Sequence, residues 1–291
     1  MVEKLAELLK GAGLEAWKIE NEEMFSLMEY EEGKIEIIED DARKIDFNGK
    51  VAFVDGKIRH LLRSRDPFQG FLLSHVVVGS AFWDPSEGFK MGEITSFLVL
   101  TLGSRINANM QDLKGEILGH ELRTVKAKSP DLTEEAKVMM AEEEYSLALK
   151  IARDEDAVVI KDGTLKPIFE AKEERSYFLG KGPIGLVKNI QSFLSKDEEL
   201  SLVRGLGMGD RSRAFSKRYM DVWYISSYLR IGRRSYIRLD AAVKELSEEI
   251  RRDVLDLFSK AAFVIPKMTL DVDWKRYPEN IFPIASLESY L

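Results

Sequence analysis

Residues 51–60 read VAFVDGKIRH: an apolar run of strand type reaches Asp55-Gly56 and passes into a basic stretch. The same grammar returns at 157–166, AVVIKDGTLK, where Asp162-Gly163 closes a second apolar run. An Asp-Gly pair between strands is the strongest short hairpin signal, because both positions tolerate positive φ. A carboxylate at the end of a buried strand can also serve as a metal ligand. Each pair alone reads more readily as a turn than as a ligand, but the helix between them shifts the balance. In MMAEEEYSLALKIA (139–152), Met140, Leu147 and Ile151 share an apolar face, with Ala141, Tyr145, Ala148 and Ala152 beside it. That register draws Glu143 or Glu144 to the buried edge, where a charge is costly unless it is paired or bound to a cation.

Working outward, the runs KIEIIE (34–39), FLLSHVVVGSAFW (71–83) and EITSFLVLTLGSR (93–105) are expected strands of the same sheet as 50–56, each bounded by Gly, Asp, Pro or Asn. A helix is expected over roughly 2–10, and another from Thr133, whose hydroxyl can cap it, to about Arg153. Strands are expected at 184–190, 220–229 and 235–240, with a short helix near 196–204. The stretch 241–262, AAVKELSEEIRRDVLDLFSKAA, has the spacing of an amphipathic helix. Strands first, then alternating helix and strand, predict one mixed α/β domain over 1–291, with residues 1–45 as an acidic, helical extension packed on it.

The chain has 291 residues, 45% of them hydrophobic, enough for a sizeable core. It contains no cysteine, which excludes disulfides, thiolate zinc sites and thiol nucleophiles. Its three histidines, His60, His75 and His120, show no helical pairing, which argues against a histidine zinc site. His60, close behind Asp55, is the one worth testing. Charged residues at 32%, with only three glutamines, lean towards a thermophilic source. The longest apolar stretch is too short to cross a bilayer and the N-terminus lacks signal-peptide character, so a cytoplasmic location is expected. G-x-S-x-G and H-E-x-x-H are missing, and GLGMGD (205–210) is not a dinucleotide fingerprint.

The net charge of −7 argues against a protein that coats nucleic acid unselectively, yet residues 204–238 hold nine basic against two acidic residues. That segment can offer a basic face to a polyanion, and its aromatics Phe215, Tyr219, Trp223, Tyr224 and Tyr228 can stack on unpaired bases or pack the sheet, the latter favoured for Trp223. Two strand-terminal aspartates and a helical glutamate form the carboxylate set of ribonuclease H-type phosphoryl-transfer nucleases. Carboxylate oxygens are hard ligands for Mg²⁺ or Mn²⁺ and need no cysteine or histidine beside them.

Six segments in order, VAFVDG (51–56), AEEEYSLALKIA (141–152), DAVVIKDGTL (156–165), GPIGLVKNI (182–190), SYIRLD (235–240) and YPENIFPIASLESYL (277–291), resemble the NurA nuclease family. The resemblance implies an α/β, ribonuclease H-like mixed sheet with flanking helices, related to Argonaute Piwi domains. It also implies one or two Mn²⁺ (or Mg²⁺) ions, cleavage of single-stranded DNA and 5′ to 3′ digestion of DNA ends. A homodimer working with a HerA-type hexameric translocase in end resection and repair follows from it too. By position it assigns catalysis to Asp55, Glu144 and Asp162 and metal binding to these and Glu143, while Lys57, Lys188, Arg211, Arg213, Arg233 and Arg234 are the expected backbone-gripping cations. The sequence departs from the family pattern at Lys57, which stands where a serine is common. It departs again at Ser286, which stands where a C-terminal histidine is expected, so that activity is weakened, uses Glu288 or another group, or is lost. The alternative is a catalytically silent DNA-binding adaptor that docks a translocase. An Argonaute-like guide-strand binder finds no recognisable 5′-phosphate pocket.

Overall fold

The computed structural model describes residues 17–18, 35–40, 42, 45–64, 70–106, 113, 115–117, 119–165, 182–188, 196–219, 222–232, 236–269 and 281–291. The helix expected near 2–10, most of the acidic extension, and Arg233 and Arg234 lie outside them. The strands are β1 (Trp17–Lys18), β2 (Glu36–Ile37), β3 (Lys50–Arg63), β4 (Phe71–Asp84), β5 (Gly88–Leu102), β6 (Gly115–Ile117), β7 (His120–Lys126), β8 (Ala157–Asp162), β9 (Ile184–Val187), β10 (Phe215–Tyr219), β11 (Val222–Arg230) and β12 (Tyr236–Val243). The helices are α1 (Thr133–Asp154), α2 (Lys196–Val203), α3 (Glu248–Met268) and α4 (Phe282–Tyr290).

Among the described residues all twelve strands join one mixed sheet in the order β2-β10-β11-β12-β9-β8-β3-β4-β5-β7-β6, with β1 paired to β3. The protein is thus mixed α/β. The pairs β3–β8, β8–β9 and β5–β7 are parallel, and the long β3–β4–β5 meander is antiparallel. Among the described residues no helix is long and apolar enough to cross a membrane.

Alternation along the strands sorts the core into two layers. On one face Val51 and Phe53 of β3 join Val158 and Ile160 of β8, Ile184 and Leu186 of β9, and Val254, Leu257, Phe258 and Ile265 of α3, with Ile284 of α4. On the other face Ala52 and Val54 join Ala157 and Val159 beneath Ala136, Leu147, Ala148 and Ile151 of α1. The same face continues under β10–β12, where Tyr145 and Leu149 meet Phe215, Tyr224 and Tyr228.

Three expectations are corrected. Asp55-Gly56 is no hairpin turn: β3 runs straight through it, with Asp55 opposite Gly79 and Gly56 opposite Val78 of β4. The apolar partner strand continues past both residues, so the ladder has no reason to break there. The actual turn between β4 and β5 is at Asp84–Gly88, where Asp84 Oδ1 accepts from the Ser86 N–H (2.7 Å) and hydroxyl (2.6 Å) and Gly88 takes φ +80°. The start of α1 relies on Asp131, whose Oδ1 accepts from the N–H and hydroxyl of Thr133 (2.9 and 2.7 Å). Finally, residues 241–243 extend β12 instead of opening a helix, because Ala241 and Val243 alternate into the core. The helix begins only after Ser247, whose side chain accepts from the Ile250 N–H, and continues through Pro266 to Met268.

Candidate metal centre

The strands β3 and β8 lie side by side and parallel, Phe53 against Ile160 and Val54 against Lys161. One residue further on, Asp55 and Asp162 fall on the same face, the α3–α4 face, at the carboxyl end of the parallel pair. Gly163 then turns the chain away with φ +78°, so the second Asp-Gly does end its strand. A third carboxylate arrives from α4. This helix packs on β3 and β4, and a Cβ at Gly79 would lie 3.0 Å from Leu287 and 3.1 Å from Leu291. The bare glycine thereby lets the helix come close enough for Glu288 to reach the aspartates. One oxygen from each of Asp55, Asp162 and Glu288 lies within 4.8 Å of the others.

Asp55 is only 6% exposed. Its Oδ1 accepts from the Gly56 N–H at 2.8 Å, but its Oδ2 is buried with no hydrogen-bond partner, as is Asp162 Oδ1. The other oxygen of Asp162 accepts from the Lys188 ammonium at 2.8 Å, and Lys188 Nζ lies 3.6 Å from Glu288 Oε1. Burial, then the charges of Asp162, Glu144 and Glu288, push the Asp55 carboxyl well above the usual range against the pull of Lys188. Burial disfavours the Lys188 ammonium, yet Asp162, Glu288 and Asp55 outweigh it and raise the group above an ordinary lysine. Lys57 donates to the Glu288 carbonyl at 3.0 Å. Buried carboxylate oxygens without donors are costly, and a hard divalent cation is the partner that such oxygens suit. The donor set therefore fits Mg²⁺ or Mn²⁺.

Glu144 stands apart from these three. It projects from α1 on the opposite face, where its Oε2 meets Lys161 Nζ at 2.5 Å, both side chains 4% exposed. Alternation along β8 aims Lys161 at α1 and Asp162 at α4. Gly56 makes room: a Cβ there would lie 2.6 Å from Glu144 Oε1 and 2.8 Å from Met140 Cγ. Burial raises the Glu144 carboxyl despite Lys161 and the Gly56 backbone. Lys161 also donates to the Asp162 carbonyl at 2.7 Å, so the ion pair ties α1 to the strand end that carries the aspartate of the carboxylate cluster. Glu143 turns outward to Arg123 at 2.9 Å. The choice between the two glutamates is thus resolved by packing: Glu144 is the buried one.

The expected cations separate in the same way. Arg211 is 5% exposed and saturated: Nη1 and Nη2 engage both oxygens of Asp40, Nη2 at 3.0 Å, and the Ser259 hydroxyl accepts as well. Burial acts to raise Asp40, but the bonds from Arg211 bring it below the ordinary carboxylate value. Arg211 is a tie between β2's flank and α3, and it does not face solvent. Arg213 is exposed, but beyond β9, β12 and β11 from Asp162. Lys188 faces the carboxylates. The base-stacking aromatics are corrected too, since Phe215, Tyr224 and Tyr228 are buried, with Phe215 and Tyr228 stacked at 5.7 Å. Trp223 packs against the α3 side of the core, and the Tyr219 side chain lies outside the description. His60 points to the α1 face and bonds Ser74 at 2.8 Å, away from Asp55.

Compared with known proteins, the chain matches no protein-family model, and no curated protein matches it significantly.

Proposed function

We propose that the chain is a divalent-metal-dependent nuclease of ribonuclease H-like architecture, acting on DNA in end processing, as its resemblance to the NurA family implies. The observation that supports this reading is the pair of orphaned buried oxygens, Asp55 Oδ2 and Asp162 Oδ1, converging with Glu288. Asp55, Asp162 and Glu288 would hold one or two Mn²⁺ or Mg²⁺ ions, which supply Lewis-acid chemistry for phosphodiester hydrolysis. Glu288 takes the place of the family's C-terminal histidine. Lys188, gripped by Asp162, holds a fixed positive charge beside the site, suited to a phosphate oxygen. Lys57 fixes the end of α4 and so the height of Glu288 above the sheet. Glu144 with Lys161 supports the end of β8 from behind. Homodimerisation, docking to a HerA-type translocase and a cytoplasmic location belong to the same proposal and rest on the resemblance alone.

A second reading, the silent adaptor, is favoured by one observation: the Lys188 ammonium already lies against Asp162 and near Glu288. The deciding experiment is cleavage of 5′- and 3′-labelled single-stranded DNA in Mn²⁺, Mg²⁺ or EDTA by wild type, Asp55→Asn and Asp162→Asn. The nuclease reading expects metal-dependent cleavage that falls in both variants by more than the roughly 10–100-fold typical of losing a supporting partner. Absence of cleavage by folded wild type, with salt-sensitive DNA binding that survives EDTA, selects the adaptor.

A further inference from the structure

The face that carries Asp55 does not end at the carboxylates. Residues i, i+2 and i+4 of a strand share a face, so Lys57 and Arg59 follow Asp55 along β3 in steps of about 7 Å. Pairing sets two cross-strand rows on this face. Lys57 lies beside Val77, which pairs with Ser96, and Arg59 lies beside His75, which pairs with Leu98. His120 of β7 completes the first row, its Nδ1 2.9 Å from the Ser96 hydroxyl, and its ring meets that of His75 edge-on at 5.0 Å.

The strip has defined borders. Towards Gly79 it is covered by Leu287 and Leu291 of α4. At the other end Leu113 and Ile117 close over Leu98, Leu100 and Leu122. Between these borders Lys57 and Arg59 are exposed and Val77, His75, Ser96 and His120 are half-buried. Neither row contains a carboxylate, although the chain as a whole is acidic.

We propose that this strip of sheet, floored by Lys57, Arg59, His75 and His120, is the track on which a single-stranded nucleic acid lies as it leads into the carboxylate centre. The inference rests on the nuclease reading and adds where the strand runs. Two cations spaced along one strand face suit successive phosphates, and the half-buried imidazoles offer ring surface for a base. Burial, His120 and Arg59 hold His75 below an ordinary histidine, which keeps the ring neutral near neutral pH. The track is continuous with the site, whereas the basic segment 204–238 supplies a buried Arg211 and an Arg213 several strands away.

The test is fluorescence anisotropy of fluorescein-labelled oligo-dT in EDTA across a salt series, run beside the metal-dependent cleavage assay. Arg59→Gln should lower the log–log salt slope by about 0.7, the value of one single-strand phosphate contact. His75→Ala should weaken binding about fivefold or more, as loss of a stacking partner does. Lys150→Glu, on α1 across the sheet, should match wild type, and circular dichroism checks that all variants fold. If His75→Ala fails to fold, Arg59→Gln alone still reads the slope. Wild-type slope and affinity in Arg59→Gln and His75→Ala, with cleavage intact in wild type, would overturn the track while leaving the nuclease reading standing. No oligo-dT binding and no cleavage by wild type would overturn both.

Discussion

At the residue scale, the decisive pair is Lys161 and Asp162. They are neighbours in sequence, yet alternation sends the ammonium to α1 and the carboxylate to α4, so one dipeptide serves a buried ion pair and the carboxylate cluster. Removing one partner of a buried pair leaves an uncompensated charge, which costs about 3–5 kcal/mol. Lys161→Met should lose stability of that order in urea unfolding, and adding Glu144→Gln to it should restore most of the loss; equal stability of the two variants would show that the pair is not what holds β8 to α1. His75 supplies a pH signature. Its folded pKa lies below the ordinary 6.5, through burial first and then His120 and Arg59. The unfolded chain therefore binds the extra proton first, and the contribution of this group is present above pH 6.5 and lost as pH falls below it. The urea midpoint should drop as pH falls below about 6.5, and His75→Gln should flatten that drop; an unchanged slope would locate the dependence elsewhere.

At the element scale, two glycines decide what approaches β3 and β4. Gly56 admits Glu144 from one face, and Gly79 admits α4 from the other. Valine suits a strand, so Gly79→Val leaves β4 intact by propensity, but its side chain meets Leu287 and Leu291 and lifts α4. Isothermal titration with Mn²⁺ should then show affinity weakened by about tenfold or more, as for loss of a group that positions ligands. Wild-type affinity in Gly79→Val would remove Glu288 from the ligand set. The apolar runs of β3 and β8 were legible in the sequence, as was the inward tilt of the glutamate cluster. The Asp55-Gly56 turn was misread because Asp-Gly tolerates a turn without requiring one, and the partner strand that overrides it is formed by residues 71–84.

At the scale of the whole molecule, the site joins the middle of β3, the end of β8 and a helix at the far end of the described chain, so an ion held by the proposed site would clamp elements that are remote in sequence. A ligand that binds only the folded state stabilises it by mass action, by about 2.7 kcal/mol at a hundred times its Kd. Thermal unfolding should shift upward in Mn²⁺, return with EDTA, and show no shift in Asp55→Asn/Asp162→Asn. A full shift in that double variant would place the ion somewhere else.

The sequence by itself determined the α/β class, the strand character of the apolar runs before Asp55 and Asp162, and the exclusion of thiol and zinc–thiolate chemistry. Those are consequences of composition and of local periodicity, which a strand carries within itself. Only the tertiary structure decided that Glu288 joins Asp55 and Asp162, that Glu144 belongs to Lys161, and that Arg211 is consumed by Asp40. Alternation says which side chains share a face of their own strand. Which helix covers that face, and how closely, depends on contacts between distant residues and on the gaps left by Gly56 and Gly79.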